Sequence, residues 1–189
     1  MTVVLASTIN RYLGLSTDTK PTAPLAGSTF YETDTGLVYL YSGSAWVLGP
    51  EGSPWRLSRG NWNFTDDGGA TGAFTVFTIT GDVMFQVFGI CNTALTSGGA
   101  ATVELGVTGN TAVFIASITA TTLIADEIWW DATPTATVEQ IDVDGLRTFV
   151  VANGQDAILT KAAATLTAGD VDFYCLWRPL SANGLVVAT

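Results

Sequence analysis

The chain has 189 residues, of which 17 are acidic and 7 are basic, and its formal net charge is −10. Because the Lys and Arg residues are scattered singly, no basic stripe is present to neutralise phosphates, and we expect no nucleic-acid partner. No apolar run approaches the roughly 20 residues that cross a bilayer, and residues 1–10 lack a basic region and a cleavage pattern, so we expect neither a membrane span nor a signal peptide.

Residues 1–25 carry few apolar residues in any period and end in two prolines, which favour extended backbone. We therefore predict an extended N-terminal arm. Residues 26–59 contain three short apolar runs separated by Asp34-Thr35-Gly36 and Ser42-Gly43-Ser44, followed by a stretch rich in Gly and Pro. This pattern predicts a small three-stranded β-meander and a linker.

Residues 60–189 contain short runs rich in Thr, Val and aromatic residues, with turn signals about every ten residues. The strongest hairpin signal is Asn153-Gly154, for which we predict a type I′ turn. Residues 161–166 are predicted to form a loop or a single helical turn. The predicted strands lie at 73–80, 83–91, 101–107, 112–119, 138–143, 147–152, 155–160 and 172–178. The sequence therefore predicts an all-β fold, with an antiparallel β-sandwich or jelly-roll-like domain after the arm and the meander.

The alternation of apolar and polar residues along these strands is impure. In residues 73–80, Phe74 and Val76 share one face, while Phe77 and Ile79 share the other. Only one face can pack into the sandwich core, which leaves the other in need of a partner. Charged residues make up only 13% of the chain, so we expect self-association. A homotrimer or larger ring would cover this face, because a rotational interface closes on itself.

The chain has no histidine, which removes the usual general base, the usual activator of a nucleophile and the commonest zinc ligand. We therefore predict no catalytic residues, no cofactor and no metal site. One alternative is weak calcium binding at Asp142-Val143-Asp144-Gly145, although a plain turn is favoured because the other acidic ligands of an EF-hand are missing. The other alternative is a two-carboxylate hydrolase, whose candidate residues are Asp66, Asp67, Asp126, Glu127 and Glu139.

The two cysteines and the two adjacent tryptophans are candidates for burial in the core. Cys91 and Cys175 lie in apolar runs, so we predict two buried thiols, with a disulfide between strands as the alternative. Trp129 and Trp130 are adjacent, so on a strand their side chains point to opposite faces and at most one fills the core. We predict a subunit interface at this pair, with ordinary partial burial or sugar stacking as alternatives.

The first quarter of the chain carries a recognisable pattern. It consists of Arg11-Tyr12-Leu13-Gly14-Leu15-Ser16-Thr17-Asp18-Thr19-Lys20-Pro21, then Gly27-Ser28-Thr29-Phe30-Tyr31-Glu32-Thr33-Asp34-Thr35-Gly36, then Tyr39, Tyr41, Gly43 and Trp46. This pattern resembles a module of tailed-bacteriophage virion proteins. In that family the module is a short β-meander before a variable β-rich domain, and it occurs in head decoration proteins, head fibres and tail-associated proteins. The family often has Lys or Arg where this chain has Leu37.

The resemblance implies a structural protein of a phage particle. Our leading interpretation is a capsid decoration (cement) protein that forms a homotrimer on the outer capsid surface, binds the major capsid protein and is assembled in the host cytoplasm. The arm would add backbone hydrogen bonds to an exposed sheet edge. The alternative is a tail or head fibre component that binds host-surface carbohydrate through Trp129 or Trp130. The predicted partner-binding residues are Arg11, Tyr12, Leu13, Leu15, Pro21, Phe30 and Tyr31.

Overall fold

The structure is a computed structural model that describes residues 9–48, 55–135, 147–181 and 183–189. Nearly all regular structure in these ranges is β-strand, so the predicted all-β class is confirmed. The chain divides into two compact units, Met1–Pro54 and Trp55–Thr189, which we call the module and the sandwich. None of the helices in the described ranges has the length and apolar character of a membrane span.

The module contains strands β1 (Arg11–Gly14), β2 (Thr29–Glu32), β3 (Val38–Tyr41) and β4 (Trp46–Leu48), which form one sheet in chain order. The last three strands form the predicted antiparallel meander. The first strand, β1, runs parallel to β2. Residues 11–14 therefore belong to the sheet rather than to an arm. A parallel pair needs a crossover of a dozen or more residues, and residues 15–28, which we call the strap, provide it.

One face of the module sheet is buried and is crossed by the strap. The indole Nε1 of Trp46 donates a hydrogen bond to the carbonyl of Pro21 at 2.8 Å, which ties the strap to the last strand. A Cβ on Gly14 would lie only 2.7 Å from the Phe30 ring, so glycine is required where the strap leaves β1. The buried cluster consists of Phe30, Leu37 and Tyr39, with Tyr12 and Trp46 packed against it.

The sandwich consists of two five-stranded sheets. Its strands are β5 (Arg56–Asn63), β6 (Gly72–Thr80), β7 (Val83–Ser97), β8 (Thr102–Val107), β9 (Asn110–Thr119), β10 (Ile128–Trp129), β11 (Phe149–Val151), β12 (Ala157–Ala162), β13 (Leu166–Pro179) and β14 (Leu185–Ala188). The first sheet has the order β10-β7-β13-β5, with β11 also paired to β7, and the second has the order β14-β6-β12-β8-β9. A short helix, α1 (Phe64–Asp67), follows β5, and a 3-10 turn, Ala120–Thr122, follows β9.

The core lies between the two sheets. Trp62 of β5, Phe77 of β6, and Phe85 of β7 are fully buried in one cluster. Along β7 and β13, buried and half-buried residues alternate over most of their length, as expected for strands that present one face to a core. The outward positions of these two strands hold both polar and apolar residues, which matches the impure alternation of the sequence. The polar ones include Gln86, Asp172 and Arg178, and the apolar ones are Met84, Phe88, Ile90, Tyr174 and Leu176.

The turn at Asn153-Gly154 carries the chain from one sheet to the other. The strand before it, β11, pairs with β7 in the first sheet, and the strand after it, β12, pairs with β6 and β8 in the second. Gly154 has a positive φ of 83°, whereas Asn153 does not have a positive φ. The predicted hairpin and its type I′ turn are therefore wrong. Asn-Gly signals a tight turn, but it does not specify that the flanking strands pair with each other.

Two other predicted segments are not found as predicted in the described residues. Lys161 and Ala162 complete β12 and Leu166 begins β13, so the predicted loop or helical turn over residues 161–166 is reduced to a tight connection. Ala163 has a φ of 64° in this connection. The predicted strand at 138–143 lies outside the described residues.

Candidate functional site: two exposed sheet faces

The module presents an apolar face to solvent, opposite the face that the strap crosses. Leu13 lies beside Tyr31 across the β1–β2 pair, and these side chains are 74% and 40% exposed. Tyr31 in turn faces Val38 on β3. Arg11 is also exposed and lies two residues before Leu13, on the same face of β1. We call this surface the module outer face, and it consists of Leu13, Tyr31, Val38, Leu40 and Val47.

Three of the predicted partner-binding residues lie instead on the inner face of the sheet or in the strap that crosses it. Phe30 is only 3% exposed and lies in the module core, so it cannot contact a partner. Tyr12 is half-buried and packs edge-on against Trp46, with ring centroids 6.1 Å apart. Pro21 accepts the indole hydrogen bond described above. Leu15, by contrast, is exposed on the strap. Strand parity separates the inner residues from Leu13 and Tyr31.

The charged residues of the N-terminal pattern hold the strap. Lys20 Nζ lies 2.6 Å from Glu32 Oε1, and Thr35 donates to the other oxygen of Glu32 at 2.6 Å. Glu32 is buried, and the Lys20 ammonium also lies 4.2 Å from the centre of the Tyr39 ring. These contacts account for Lys and Glu in the pattern as structural residues.

A second polar contact fixes the beginning of the strap. The backbone N–H and the hydroxyl of Ser16 donate to Asp34 at 2.8 and 2.6 Å. The hydroxyl hydrogen bond lowers the pKa of Asp34. Asp18 accepts from the backbone N–H of Leu15 at 2.7 Å, which closes a turn within the strap. The carboxylates of the pattern are thus engaged with the strap or with the turn before β3, and the module outer face carries none of them.

The sandwich also has an apolar outward surface, on the sheet that contains β7 and β13. Phe88 and Tyr174 stack across this pair with ring centroids 5.4 Å apart and 14° between planes. The Arg59 guanidinium lies 5.8 Å from the Tyr174 ring centre, so Phe88 and Arg59 both contact this ring. The most exposed members are Leu57 and Val150, at 62% and 72%. We call this surface the sandwich outer face, and it consists of Leu57, Met84, Phe88, Ile90, Ile128, Val150, Tyr174 and Leu176.

The tryptophan pair points to opposite faces, as the sequence predicts. Trp129 is fully buried in the core, with its ring centre 6.1 Å from that of Phe173. A role for Trp129 in a subunit interface is therefore excluded. Trp130 is half-buried, and its indole Nε1 has no hydrogen-bond partner among the described residues. For Trp130, the subunit interface stays a prediction.

A polar cleft of about 480 Å³ lies at one end of the β5–β13 pair. Asp172 is 4% exposed and accepts hydrogen bonds from Arg59 at 2.5 Å and from Asn61 at 2.9 Å. Burial acts to raise the pKa of Asp172, but these hydrogen bonds and one from Asn92 outweigh it, so the pKa lies below its ordinary value. No local pattern indicates this cleft, because its two strands are more than 100 residues apart in the chain.

The candidate carboxylates of a hydrolase are only partly brought together. Asp66 and Asp67 line the polar cleft, and Asp67 also accepts the backbone N–H of Asn63 at 2.8 Å. Asp126 and Glu127 lie in a separate turn, where Glu127 accepts the backbone N–H of Ile124. Among the described residues, no group of three or more acidic or cysteine side chains is placed to hold a metal ion. Glu139 and the segment 142–145 lie outside those residues.

The two cysteines are buried and unbonded, as predicted. Burial, with a smaller effect of the nearby charge of Glu127, raises the pKa of Cys91 to about 12. Burial also raises the pKa of Cys175. Both thiols are therefore protonated and unreactive in the folded protein at neutral pH.

Comparison with known proteins identifies no family for this chain. No protein-family model matches it, and no curated protein matches it. A partial structural match comes from the acidic stable capsid structure of Helicobacter pylori bacteriophage KHP30, with a TM-score of 0.43 and 11% sequence identity. The alignment covers 72% of this chain and 95% of that one. A likeness of this strength carries no argument about function.

Proposed function

We propose that this chain is a structural protein of a tailed-phage particle, and that it decorates the outer capsid surface by tying neighbouring major capsid subunits together. The observation that carries the proposal is the presence of exposed apolar faces on both units of a chain with few charged residues. Apolar surfaces of this kind mark contacts with other proteins. The resemblance of the module to phage virion proteins supplies the setting.

In this proposal the module outer face binds the major capsid protein. The polar contacts of the strap are internal to the module, so they leave Leu13 and Tyr31 free to contact a partner. Arg11 and Leu15 flank this face and extend the contact. The acidic balance of the chain suits a position outside the head, away from packaged DNA.

The sandwich outer face contacts other copies of the chain in the same proposal. A homotrimer buries Leu57 and Val150 in a rotational interface that closes on itself. Three modules carried by one trimer bind a capsid lattice with an avidity that a single module lacks. The assembled particle, formed in the host cytoplasm, is the location of the protein.

The test is binding of purified protein to capsids that lack it, measured by co-sedimentation. Removal of residues 1–24 is a poor test, because it deletes β1 from the module sheet. The double variant L13S/Y31S is better, because both side chains are exposed. We expect it to fold and to lose capsid binding, whereas V187S, which changes a 49% exposed valine in the sandwich, binds normally. Undiminished binding by L13S/Y31S contradicts the proposal.

The fibre alternative, with a carbohydrate site at the tryptophan pair, has less support. Trp129 has no exposed surface to offer a sugar ring. On the sandwich outer face, Tyr174 packs against both Phe88 and Arg59. A glycan-array signal that is lost in the variant W130A would favour this alternative over decoration.

A further inference from the structure

Three turns of the sandwich meet in a cluster that is held by side chains. They are the β6–β7 turn at Gly81-Asp82, the β11–β12 turn at Asn153-Gly154, and the β13–β14 connection, which contains Ser181 and Gly184. Asn153 Oδ1 accepts the backbone N–H of Gly81 at 2.9 Å, and the backbone N–H of Asn153 donates to Asp82 at 3.1 Å. The backbone N–H of Asp82 in turn donates to Ser181 Oγ at 2.8 Å. We call this arrangement the turn cluster.

The turn cluster contains two Asn-Gly steps, Asn153-Gly154 and Asn183-Gly184. Such steps are chemically labile, because the backbone nitrogen of the glycine can attack the asparagine side-chain carbonyl without obstruction by a Cβ. The reaction needs a nitrogen that is free to approach, and it needs access to water. The two steps differ in both respects.

The nitrogen of Gly154 is available, whereas that of Gly184 is not. Gly154 is exposed, and its N–H has no hydrogen-bond acceptor among the described residues. Gly184 is buried, and its N–H donates to the carbonyl of Ser181 at 3.0 Å. A Cβ built at Gly184 would lie 2.7 Å from Pro179 and 2.8 Å from the carbonyl of Asp82, which shows how closely this glycine is enclosed.

We propose that Asn153 is a site of spontaneous deamidation in the folded protein, and that Asn183 is protected. The Gly154 nitrogen forms a bond to Cγ of Asn153, the bond from Cγ to Nδ2 breaks, and ammonia leaves with the proton from the glycine nitrogen. Water then opens the succinimide at either carbonyl, which gives aspartate or isoaspartate at position 153. The Gly81 N–H that binds Oδ1 stabilises the negative charge that develops on this oxygen during the attack.

The modification changes the contacts of the turn cluster. It places a new carboxylate in the hydrogen-bonded group that already contains Asp82, and like charges within one such group repel. Isoaspartate also lengthens the backbone of the turn that links the two sheets. Water is the only co-reactant, so the change needs no enzyme and accumulates as the protein ages.

The test is incubation of the folded full-length protein in mildly alkaline buffer, followed by digestion and mass spectrometry of each Asn-Gly peptide. We expect aspartate and isoaspartate to accumulate at position 153 while Asn183 keeps its amide. In denaturant both steps should convert at similar rates, which gives the reference for the intrinsic chemistry.

The variant N153Q is the matched control. It should show no conversion at position 153, because a glutamine side chain must close a larger ring, and it should leave Asn183 unchanged. Equal conversion at both steps in the folded protein overturns the proposal. It is also overturned if position 153 stays intact during a period in which the denatured chain converts.

Discussion

Lys161 is a charged residue at a buried position of the sandwich. It lies on the core side of β12 and is 5% exposed, with Nζ 3.0 Å from the carbonyl of Gly68 and 5.1 Å from the centre of the Trp62 ring. Burial lowers the pKa of Lys161, and the nearby charge of Asp67 opposes this effect only in part. The hydrogen bond from Lys161 thus joins the loop after α1 to the second sheet. Burial of the ammonium group opposes folding, because the charged form loses its hydration.

The lowered pKa of Lys161 predicts a specific pH dependence. The unfolded chain holds the proton up to its ordinary pKa of 10.5, whereas the folded protein releases it at lower pH. Between these two values the unfolded state binds more protons, so the contribution of Lys161 to the free energy of unfolding increases as pH rises. We expect K161M to abolish this increase in urea unfolding measured from neutral pH to pH 10.5.

The comparison of wild type with K161M isolates this effect. The buried thiols shift stability in the opposite direction at high pH, but they are common to both proteins. The hydrogen bond to Gly68 is lost in the variant at every pH, so it changes the absolute stability and not the slope. Identical slopes for the two proteins contradict the argument.

At the scale of elements, the backbone of the loop after α1 lies close to that of β13. The backbone N–H of Leu166, at the start of β13, donates to the carbonyl of Gly69 at 2.9 Å. A Cβ on Gly69 would lie 1.9 Å from the carbonyl oxygen of Leu166, which is backbone and cannot move aside cheaply. The polar cleft depends on this contact, because α1 carries Asp66 and Asp67 to its wall.

We expect G69A to destabilise the sandwich by about 2 kcal/mol or more, because the clash forces the loop away from β13. The matched control is G98A, since a Cβ at Gly98 meets no atom within 4 Å. That variant should change stability by less than about 0.5 kcal/mol. Thermal and urea unfolding of both proteins provide the measurement, and equal effects of the two substitutions refute the steric account.

At the scale of the whole molecule, the sandwich outer face bears on assembly. Its most exposed residues, Leu57 and Val150, lie on β5 and β11 with β7 and β13 between them. We expect the protein to be a trimer in light scattering coupled to size-exclusion chromatography, and the variant L57D/V150D to be a monomer, because each carboxylate loses its hydration in the interface.

The control for this prediction is V187D, which places the same charge on a similarly exposed valine of the other sheet. It should remain trimeric. Circular dichroism of both variants checks that the β-structure is intact. A monomeric wild-type protein, or loss of the trimer in V187D alone, is incompatible with an interface at the sandwich outer face.

Contacts between distant segments are the part of the fold that the sequence did not predict. Alternation and turn residues are local signals, and they predicted the all-β class and most of the strands. The choice between Trp129 and Trp130 was not local, because it depends on the register of β10, in which Trp129 lies opposite Gly89 of β7. The same is true of Arg11–Gly14, which becomes a strand only because Thr29–Glu32 lies beside it. The polar cleft and the turn cluster combine distant segments, and a local signal such as Asn153-Gly154 does not show which segments meet there.

The order of strands in the module has an evolutionary consequence. Its first strand, β1, is one edge strand of the sheet, and its last strand, β4, is the opposite edge strand. The ties from Trp46 to Pro21 and from Lys20 to Glu32 are both made within this stretch. The contacts that hold the module together are therefore internal, and its first and last strands are at opposite edges of the sheet. Recombination can join such a unit to an unrelated domain without inserting one chain into the sheet of the other.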